Sequence, residues 1–538
     1  MLAQRVGSVV EVTNEPAAGP SAPARPDGLR PRVRRPVALS ALFPSALTTA
    51  DVGVAGITLD TRLVEPGDLF VGLPGRHHHG AAFAARAAEA GAAALLTDAA
   101  GALAARASGL PLVVVDDPRQ AMAGAAARIY GEPARALTMH AVTGTNGKTT
   151  TSYLLEAALR AAGTPTGLVG TIGFRLHGQD LPAARTTVTT PESPELQGLL
   201  AYLREGGARA VVMEVSSHAL VLGRADAIVF DVAAFTNFGR DHLDFHGDLE
   251  SYFEAKASLF TRERTRHAVL NRDDPRGRLL IDRLRAAGQV PVTTFGLGPD
   301  SDVHPIRIGP VERGRTRLQA VVRGHRVDAW LGLPGDHNVR NALTALAMVS
   351  VTGGDVAAAA AGLGDASVPG RMQRVDLGEG APAAFVDFAH TPQAVSAALG
   401  AVANLVDPGG RLVVVLGCGG DRDPAKRGPM GEAAASAADV VVVTDDNPRS
   451  EDPDVIRRAV LDGARAAART RAEPVEVVDG GDRRTAIGTA LRLAGANGVV
   501  AVLGKGHESG QEVAGRVLPF ADPVVVAAEW SRLAGGGS

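Results

Sequence analysis

The stretch Ala141-Val142-Thr143-Gly144-Thr145-Asn146-Gly147-Lys148-Thr149-Thr150 lies between a run that can end a β-strand and a segment, Thr151 to Ala162, that reads as a helix. A glycine-rich turn at such a junction points backbone N–H groups and the positive end of the helix dipole at one spot. Lys148 adds a point charge that reaches the β- and γ-phosphates of a nucleotide, and Thr149 offers a hydroxyl to Mg²⁺. The strict phosphate-loop pattern has glycine where this chain has Val142, so the loop is a shortened variant. An ordinary Gly/Asn turn is the rival reading, and Gly-Lys-Thr-Thr at a helix start argues against it. The expected ligand is ATP with Mg²⁺, its phosphates held by Gly144, Thr145, Asn146, Gly147, Lys148, Thr149 and Thr150.

Outward from that loop, 538 residues are too many for one core and suggest three or four domains. Hydrophobic residues make up 45% and charged ones 21%, as in an ordinary globular chain. A net charge of −3 gives no reason to expect nucleic acid or an anionic membrane as partner. The one cysteine, Cys418, excludes an internal disulfide framework and fits a reducing cytosol. No apolar run is long enough to span a bilayer, and the N-terminus lacks the pattern of a secretory signal, so a cytoplasmic location is expected.

Residues 1–36, rich in Pro, Ala and Arg, read as a mobile basic tail. Residues 37–137 form a small α/β unit, with strands near Gly56–Asp60, Asp68–Leu73 and Leu112–Asp116 and a helix over Ala81–Ala90. His77-His78-His79 is not a metal cluster, because neighbours on a strand face opposite ways; these are loop residues near a ligand or in solvent. The central domain, 138–366, carries buried strands at Ala210–Glu214 and Ala227–Asn237, whose polar ends bring Glu214 and His242 toward the nucleotide's metal. Lys256 sits in a helical pattern where spacing alone makes it an exposed lysine. Asn338 and Asn341, at a turn entering a helix, either read an adenine edge or cap that helix. The third domain, 367–538, is doubly wound, with strands at 384–388, 411–417, 439–444 and 499–504, each leading into a polar loop. The fold class is therefore α/β throughout. An N-terminal α/β domain is followed by a central P-loop domain with a mostly parallel sheet and a C-terminal Rossmann-like domain.

Several blocks in this order make the chain resemble the Mur ligases. They are Thr-Leu-Asp-Thr-Arg at 58–62, Gly-Thr-Asn-Gly-Lys-Thr-Thr at 144–150, Thr-Thr-Pro at 189–191 and Met-Glu-Val-Ser-Ser-His-Ala-Leu at 213–220. Arg-Asp-His-Leu-Asp-Phe-His-Gly at 240–247, Pro-Gly-Arg-Met at 369–372, Gly-Cys-Gly-Gly-Asp-Arg-Asp at 417–423, Asp-Asn-Pro-Arg at 446–449 and Gly-Lys-Gly-His-Glu at 504–508 follow. The resemblance runs from about Gly56 to Phe520 and implies an ATP-dependent amide ligase that adds the third residue of the peptidoglycan stem peptide. The first domain would hold the UDP end of UDP-N-acetylmuramoyl-L-alanyl-D-glutamate, the second ATP, and the third the incoming amino acid.

By the same resemblance, Leu59, Thr61, Arg76, His77 and His78 would contact the UDP-sugar, and Thr189, Thr190, Ser216 and Arg224 the muramoyl dipeptide. Lys148, Glu214, His242 and Lys256 would be the catalytic set, with Thr149, Glu214, His242 and Lys256 holding Mg²⁺ and Lys256 carbamylated. Asn338, Asn341 and Arg371 would join the ATP site. Leu222 and Val188 depart from the Gln and Asn that relatives often carry. Arg422, Asp446, Asn447, Pro448, Arg449, Gly504 and Glu508 would take the amino acid. The Asp-Asn-Pro-Arg loop resembles that of the ligases adding meso-2,6-diaminopimelate, whose far carboxylate suits a bidentate arginine. The rivals are a lysine-adding or folate-type polyglutamate ligase and a nucleotide-binding regulator that ligates nothing. A monomer is expected.

Overall fold

The computed structural model describes residues 29–75, 77–182, 188–312 and 315–535. The first domain is built on a five-stranded sheet, ordered Leu47–Thr48, Leu112–Val114, Ala94–Thr97, Asp68–Val71, Gly56–Thr58, and parallel except for the first strand. Its helix Pro118–Ile129 starts at a capping Asp117 followed by proline, both of which suit a helix N-terminus. That helix packs on Ser193–Glu205 of the central domain.

The basic end of the expected tail is anchored to the protein, although Arg32, Val33 and Arg35 stay exposed. Arg30 Nη1 donates to the buried Asp68 Oδ2 at 2.7 Å, Arg34 pairs with Glu65 at 2.5 Å, and the Arg32 N–H donates to Glu205 Oε2 at 2.8 Å. Residues 29–36 therefore clasp the first domain to the central one, because two of their guanidiniums meet acceptors of the first and a backbone N–H meets one of the second. The rest of that segment, 1–28, lies outside the described residues.

The central sheet has eleven strands, with the phosphate-loop strand Thr138–Thr143 between Ala210–Glu214 and Val232–Phe235. The strands from Thr166–Gly170 through Val292–Phe295 run parallel, and antiparallel hairpins close both edges. Burial on both faces explains their unbroken apolar runs, such as Ala210-Val211-Val212-Met213. The strand expected over Ala227–Asn237 is shorter. It pairs only over Val232–Phe235, since Ala227 has a left-handed φ of 65° and only Phe230 bridges, to Thr265.

The third domain has a six-stranded sheet, ordered Gln373–Val375, Ala383–Asp387, Val499–Leu503, Leu412–Leu416, Val440–Thr444, Glu476–Gly481, parallel except for its first strand. The last-formed strand, Val499–Leu503, inserts between two earlier ones, which creates a crevice at the carboxyl edge of the sheet. One apolar cluster runs from helix Lys148–Ala161 through Asp336–Val351 into helices Pro392–Ala403 and Arg427–Ala437, so the second and third domains share a core. Among the described residues no helix is long and apolar enough to cross a membrane.

Candidate active site

The phosphate loop is shaped by contacts only glycine permits. Gly144 has φ 142°, and a Cβ there would lie 2.0 Å from Thr236 Oγ1; Gly147, at φ 85°, precedes the helix Lys148–Ala161. Asn237 pins the loop from the neighbouring strand, accepting from the Asn146 N–H at 2.9 Å and donating to its carbonyl at 3.0 Å. Lys148 Nζ folds into the loop and donates to the carbonyls of Gly144 and Thr145, both at 3.0 Å. Burial lowers its pKa, with Glu214 and Asp241 opposing. Under the loop, Asn338 and Asn341 bond to each other at 3.1 Å; Asn338 caps the Pro334 carbonyl, and Asn341 accepts from Thr151. The pair thus braces the loop from the helix Asp336–Val351, and Asn341 Oδ1 would stand 2.6 Å from a Cβ at Gly147.

Glu214, fully buried at its strand end, accepts from Thr149 Oγ1 at 3.0 Å and from Thr171 N–H and Oγ1 at 3.0 and 2.9 Å. Thr171 Oγ1 also lies 3.1 Å from Thr189 Oγ1. Thr190 Oγ1 donates to the Glu214 carbonyl and accepts from the Ser216 N–H, and Arg224 Nη1 reaches the Thr190 carbonyl at 3.4 Å. Ser216 Oγ caps the helix Ser217–Val221. The four residues assigned to the muramoyl dipeptide thus form one hydrogen-bonded shelf beside the phosphate loop. Thr171 was not singled out from sequence; no motif marks it, and only its place at the end of the strand Thr166–Gly170 points to it.

The oxygen set fits Mg²⁺, which binds through one or two carboxylates together with phosphate oxygens. A buried carboxylate and a threonine hydroxyl 3.0 Å apart at a phosphate loop supply that set. Among the described residues no three His, Cys, Asp or Glu side chains converge as a self-sufficient metal cage. His242 lies with its ring edge-on to His218, the centroids 4.8 Å apart, and 3.4 Å from Asp241. Burial moves its pKa down to about 4, keeping the imidazole neutral.

Lys256 overturns the spacing-based expectation of an exposed lysine. It is 1% exposed, its Nζ donates to the Gly144 carbonyl at 2.8 Å, and it lies 4.5 Å from the centroid of the Tyr252 ring. Burial, reinforced by the charge of Lys148, lowers its pKa well below 10.5. The residue has been turned inward because Tyr252, Phe253 and Lys256 share the buried stripe of the helix Leu249–Ala257.

Across the domain boundary, the loops after strands Leu412–Leu416, Val440–Thr444 and Val499–Leu503 interlock. A Cβ at Gly420 would meet the Pro448 carbonyl at 1.9 Å, and one at Gly504 would meet Asp446 Oδ2 at 2.6 Å. Arg449, in a left-handed conformation at φ 55°, is anchored by Nη1 to the Gly420 carbonyl at 2.6 Å and by Nε to Glu512 at 3.1 Å. Asn447 donates to Glu508 Oε2 at 2.8 Å. Lys505, which sequence reading did not place in the site, is fully buried, and its Nζ donates to Asn447, Glu508 and the Gly510 carbonyl. It therefore fixes one oxygen of Glu508 and leaves Oε1 uncommitted. Burial raises the pKa of Asp446, with Arg483 and Lys505 opposing. Arg422 is exposed, and its Cγ flanks Gly419, the glycine that Arg449 Nη1 also approaches.

The two halves meet. Arg371, stacked 4.4 Å over Phe388, lies within electrostatic reach of Asp387, Glu214 and Glu508 together. Asp241 of the central domain is held below the usual carboxylate range: burial raises it, but His242, His390 of the third domain and Lys148 more than offset that. In the first domain, Thr61 opens a short turn capped by Asp60, beside the part-buried Leu59, while His77 and His78 are exposed. His79 is a structural residue, bonded to Asp98 at 3.1 Å and accepting from the Ala81 N–H. Arg76 lies outside the described residues.

A three-domain α/β chain with a phosphate loop facing a Rossmann-like loop cluster has the form of a nucleotide-dependent ligase. Residues 53–130 match the model for the Mur ligase family, catalytic domain, 142–349 the Mur ligase middle domain, and 370–506 the Mur ligase glutamate ligase domain. The UDP-N-acetylmuramoyl-L-alanyl-D-glutamate–2,6-diaminopimelate ligase of Streptomyces coelicolor is 47% identical, over 91% of this chain and 97% of its own. The UDP-N-acetylmuramyl-tripeptide synthetase of Leifsonia xyli is 44% identical, over 92% of this chain and 96% of its own. Among solved structures, a UDP-N-acetylmuramoyl-L-alanyl-D-glutamate–2,6-diaminopimelate ligase superposes with a TM-score of 0.64 at 30% identity, covering 93% of this chain and all of that one. The chain belongs to the Mur ligase family.

Proposed function

We propose that this chain joins meso-2,6-diaminopimelate to the D-glutamate side-chain carboxylate of UDP-N-acetylmuramoyl-L-alanyl-D-glutamate, hydrolysing ATP to ADP and phosphate, in peptidoglycan precursor synthesis. The named relatives support the reaction. The observation that carries the choice of amino acid is Arg449, its guanidinium braced by Gly420 and Glu512, two residues after an Asn447 that holds Glu508. A braced arginine favours a planar carboxylate at the far end of the substrate, a group that L-lysine lacks.

Thr189, Thr190, Ser216 and Arg224 orient the substrate carboxylate toward the phosphate loop, where Lys148 and the loop N–H groups hold the triphosphate. A carboxylate oxygen attacks the γ-phosphorus, the bond to the β-bridging oxygen breaks, and the acyl phosphate forms. The neutral amine of diaminopimelate, held by the loops of the third domain, then attacks the acyl carbon, phosphate leaves with the C–O electron pair, and the nitrogen gives up its proton to the departing phosphate. Mg²⁺, when held by Thr149, Glu214, His242 and a carbamylated Lys256, offsets charge on the phosphates. A neutral Lys256 amine is the form that adds carbon dioxide, and its lowered pKa favours that form. Contact between the second and third domains keeps water from the acyl phosphate. A cytoplasmic location follows from the need for ATP.

The test is phosphate release by the purified chain with ATP and the UDP-muramoyl dipeptide, comparing diaminopimelate with L-lysine. Release and tripeptide product with diaminopimelate alone are expected. Equal turnover with lysine would remove the specificity argument, and turnover without the UDP substrate would remove the ligase.

A further inference from the structure

Glu192 stands between two arginines that belong to different domains. Its Oε2 accepts from Arg119 Nη1 at 2.9 Å, and its Oε1 from Arg224 Nε at 2.9 Å. Arg119 is in the first turn of Pro118–Ile129, in the UDP-side domain, while Arg224 follows the helix Ser217–Val221 of the central one. Glu192 occupies the position before the helix Ser193–Glu205, where Ser, Thr, Asp or Asn is the ordinary cap, and it makes no capping bond. Both of its oxygens are drawn to the arginines instead.

The remaining contacts reinforce the arrangement. Arg119 also reaches the Leu222 carbonyl at 3.4 Å, and Arg224 the Thr190 carbonyl. Holding Arg224 through Nε fixes the plane of its guanidinium and leaves the far edge to face a ligand. Arg224 remains the cation of this cluster nearest Thr190, and it is the group suited to an anionic peptide group. Glu195, one turn into the same helix, is within electrostatic reach of Asp60, beside Leu59 and Thr61, and of Arg224.

We infer that Glu192 is a positioning residue that couples the seating of the UDP-side domain, through Arg119, to the orientation of Arg224. The inference rests on the proposed assignment of Arg224 to the muramoyl dipeptide. One end of the substrate is read by the first domain and the other by Arg224. A single carboxylate spanning both makes the distance between the two ends a property of the protein, not of the ligand.

The experiment measures steady-state constants of the full chain for each substrate in turn. Glu192→Gln keeps the shape and removes the charge, and should raise KM for the UDP-muramoyl dipeptide about tenfold, as for one weakened charge-assisted hydrogen bond. The KM values for ATP and diaminopimelate should stay put, with kcat within about twofold. Arg119→Met should act in the same direction, and the double variant should be no worse than the worse single one, since both work through one carboxylate. An unchanged KM in Glu192→Gln, additive effects in the double variant, or a shift of all three KM values with a lowered Tm would overturn the coupling. Arg224→Met separates the two claims. If it raises the same KM while Glu192→Gln does not, only the coupling fails; if Arg224→Met leaves that KM alone, the substrate assignment fails and the coupling with it.

Discussion

Two amines, Lys148 and Lys256, converge on the carbonyl of Gly144. They differ in what they can do. Lys148 can swing toward a phosphate, and Lys148→Ala should bind ATP poorly and lower kcat by at least about 10²-fold, read by phosphate release. Lys256 is enclosed, and its folded-state pKa lies below 10.5 while the unfolded chain keeps the ordinary value. Between those two values the unfolded form holds more protons, so stability rises with pH across that window and is lost as pH falls through the folded pKa. Urea unfolding in carbon-dioxide-free buffer should show this rise, and Lys256→Met should flatten it. Arg449→Ala should raise KM for diaminopimelate at least tenfold or so while leaving that for ATP unchanged. The phosphate loop was legible because Gly144, Gly147 and Lys148 are required by phosphate geometry itself. Lys256 was not, although its place four residues after Tyr252, on the one apolar stripe of a short helix, was a usable signal. Lys505 and Thr171 carry no motif, and their roles come entirely from what folding brings next to them.

Among the elements, the segment 29–36 departs furthest from expectation. Its composition is that of a solvated leader, but composition does not reveal that Asp68 waits in the sheet as a buried acceptor. Arg30→Ala would remove the nearer guanidinium from that carboxylate, leaving it the Glu65 N–H and Arg34 at 3.9 Å, and should destabilise the chain by about 3 kcal/mol. Arg34→Ala, whose partner Glu65 is 36% exposed, should cost under ~1 kcal/mol. Chemical unfolding of the two variants checks the contrast; equal effects would mean that Asp68 is not the acceptor that matters. The parallel strands were legible because burial on both faces leaves no polar alternation. The start of the strand at Val232 was not, since Ile228 is buried without a strand partner and Phe230 pairs only in an isolated bridge to Thr265, and an apolar run reports burial, not the extent of pairing.

For the molecule as a whole, Arg371 is the link between the nucleotide side and the amino-acid side. Because Glu214 and Glu508 both feel its charge, Arg371→Met should raise KM for ATP and for diaminopimelate together. A change in only one of them would show that the charge serves a single domain. Three domains and a facing pair of sites could be anticipated from strand order and polar loop ends. The shared core of the second and third domains could not, because apolar helix faces do not name their partner. The clasp at Arg32 has a bearing on how the chain is born. Its acceptor, Glu205, lies 173 residues further on. At a ribosomal pace of about 5–20 residues per second, the leading end must wait on the order of 10–30 s for its anchor to emerge. Until then Arg30 and Arg34 hold the segment to the first domain alone, and a nascent-chain protease pulse should cut near residue 32 more readily before Glu205 has cleared the exit tunnel than after.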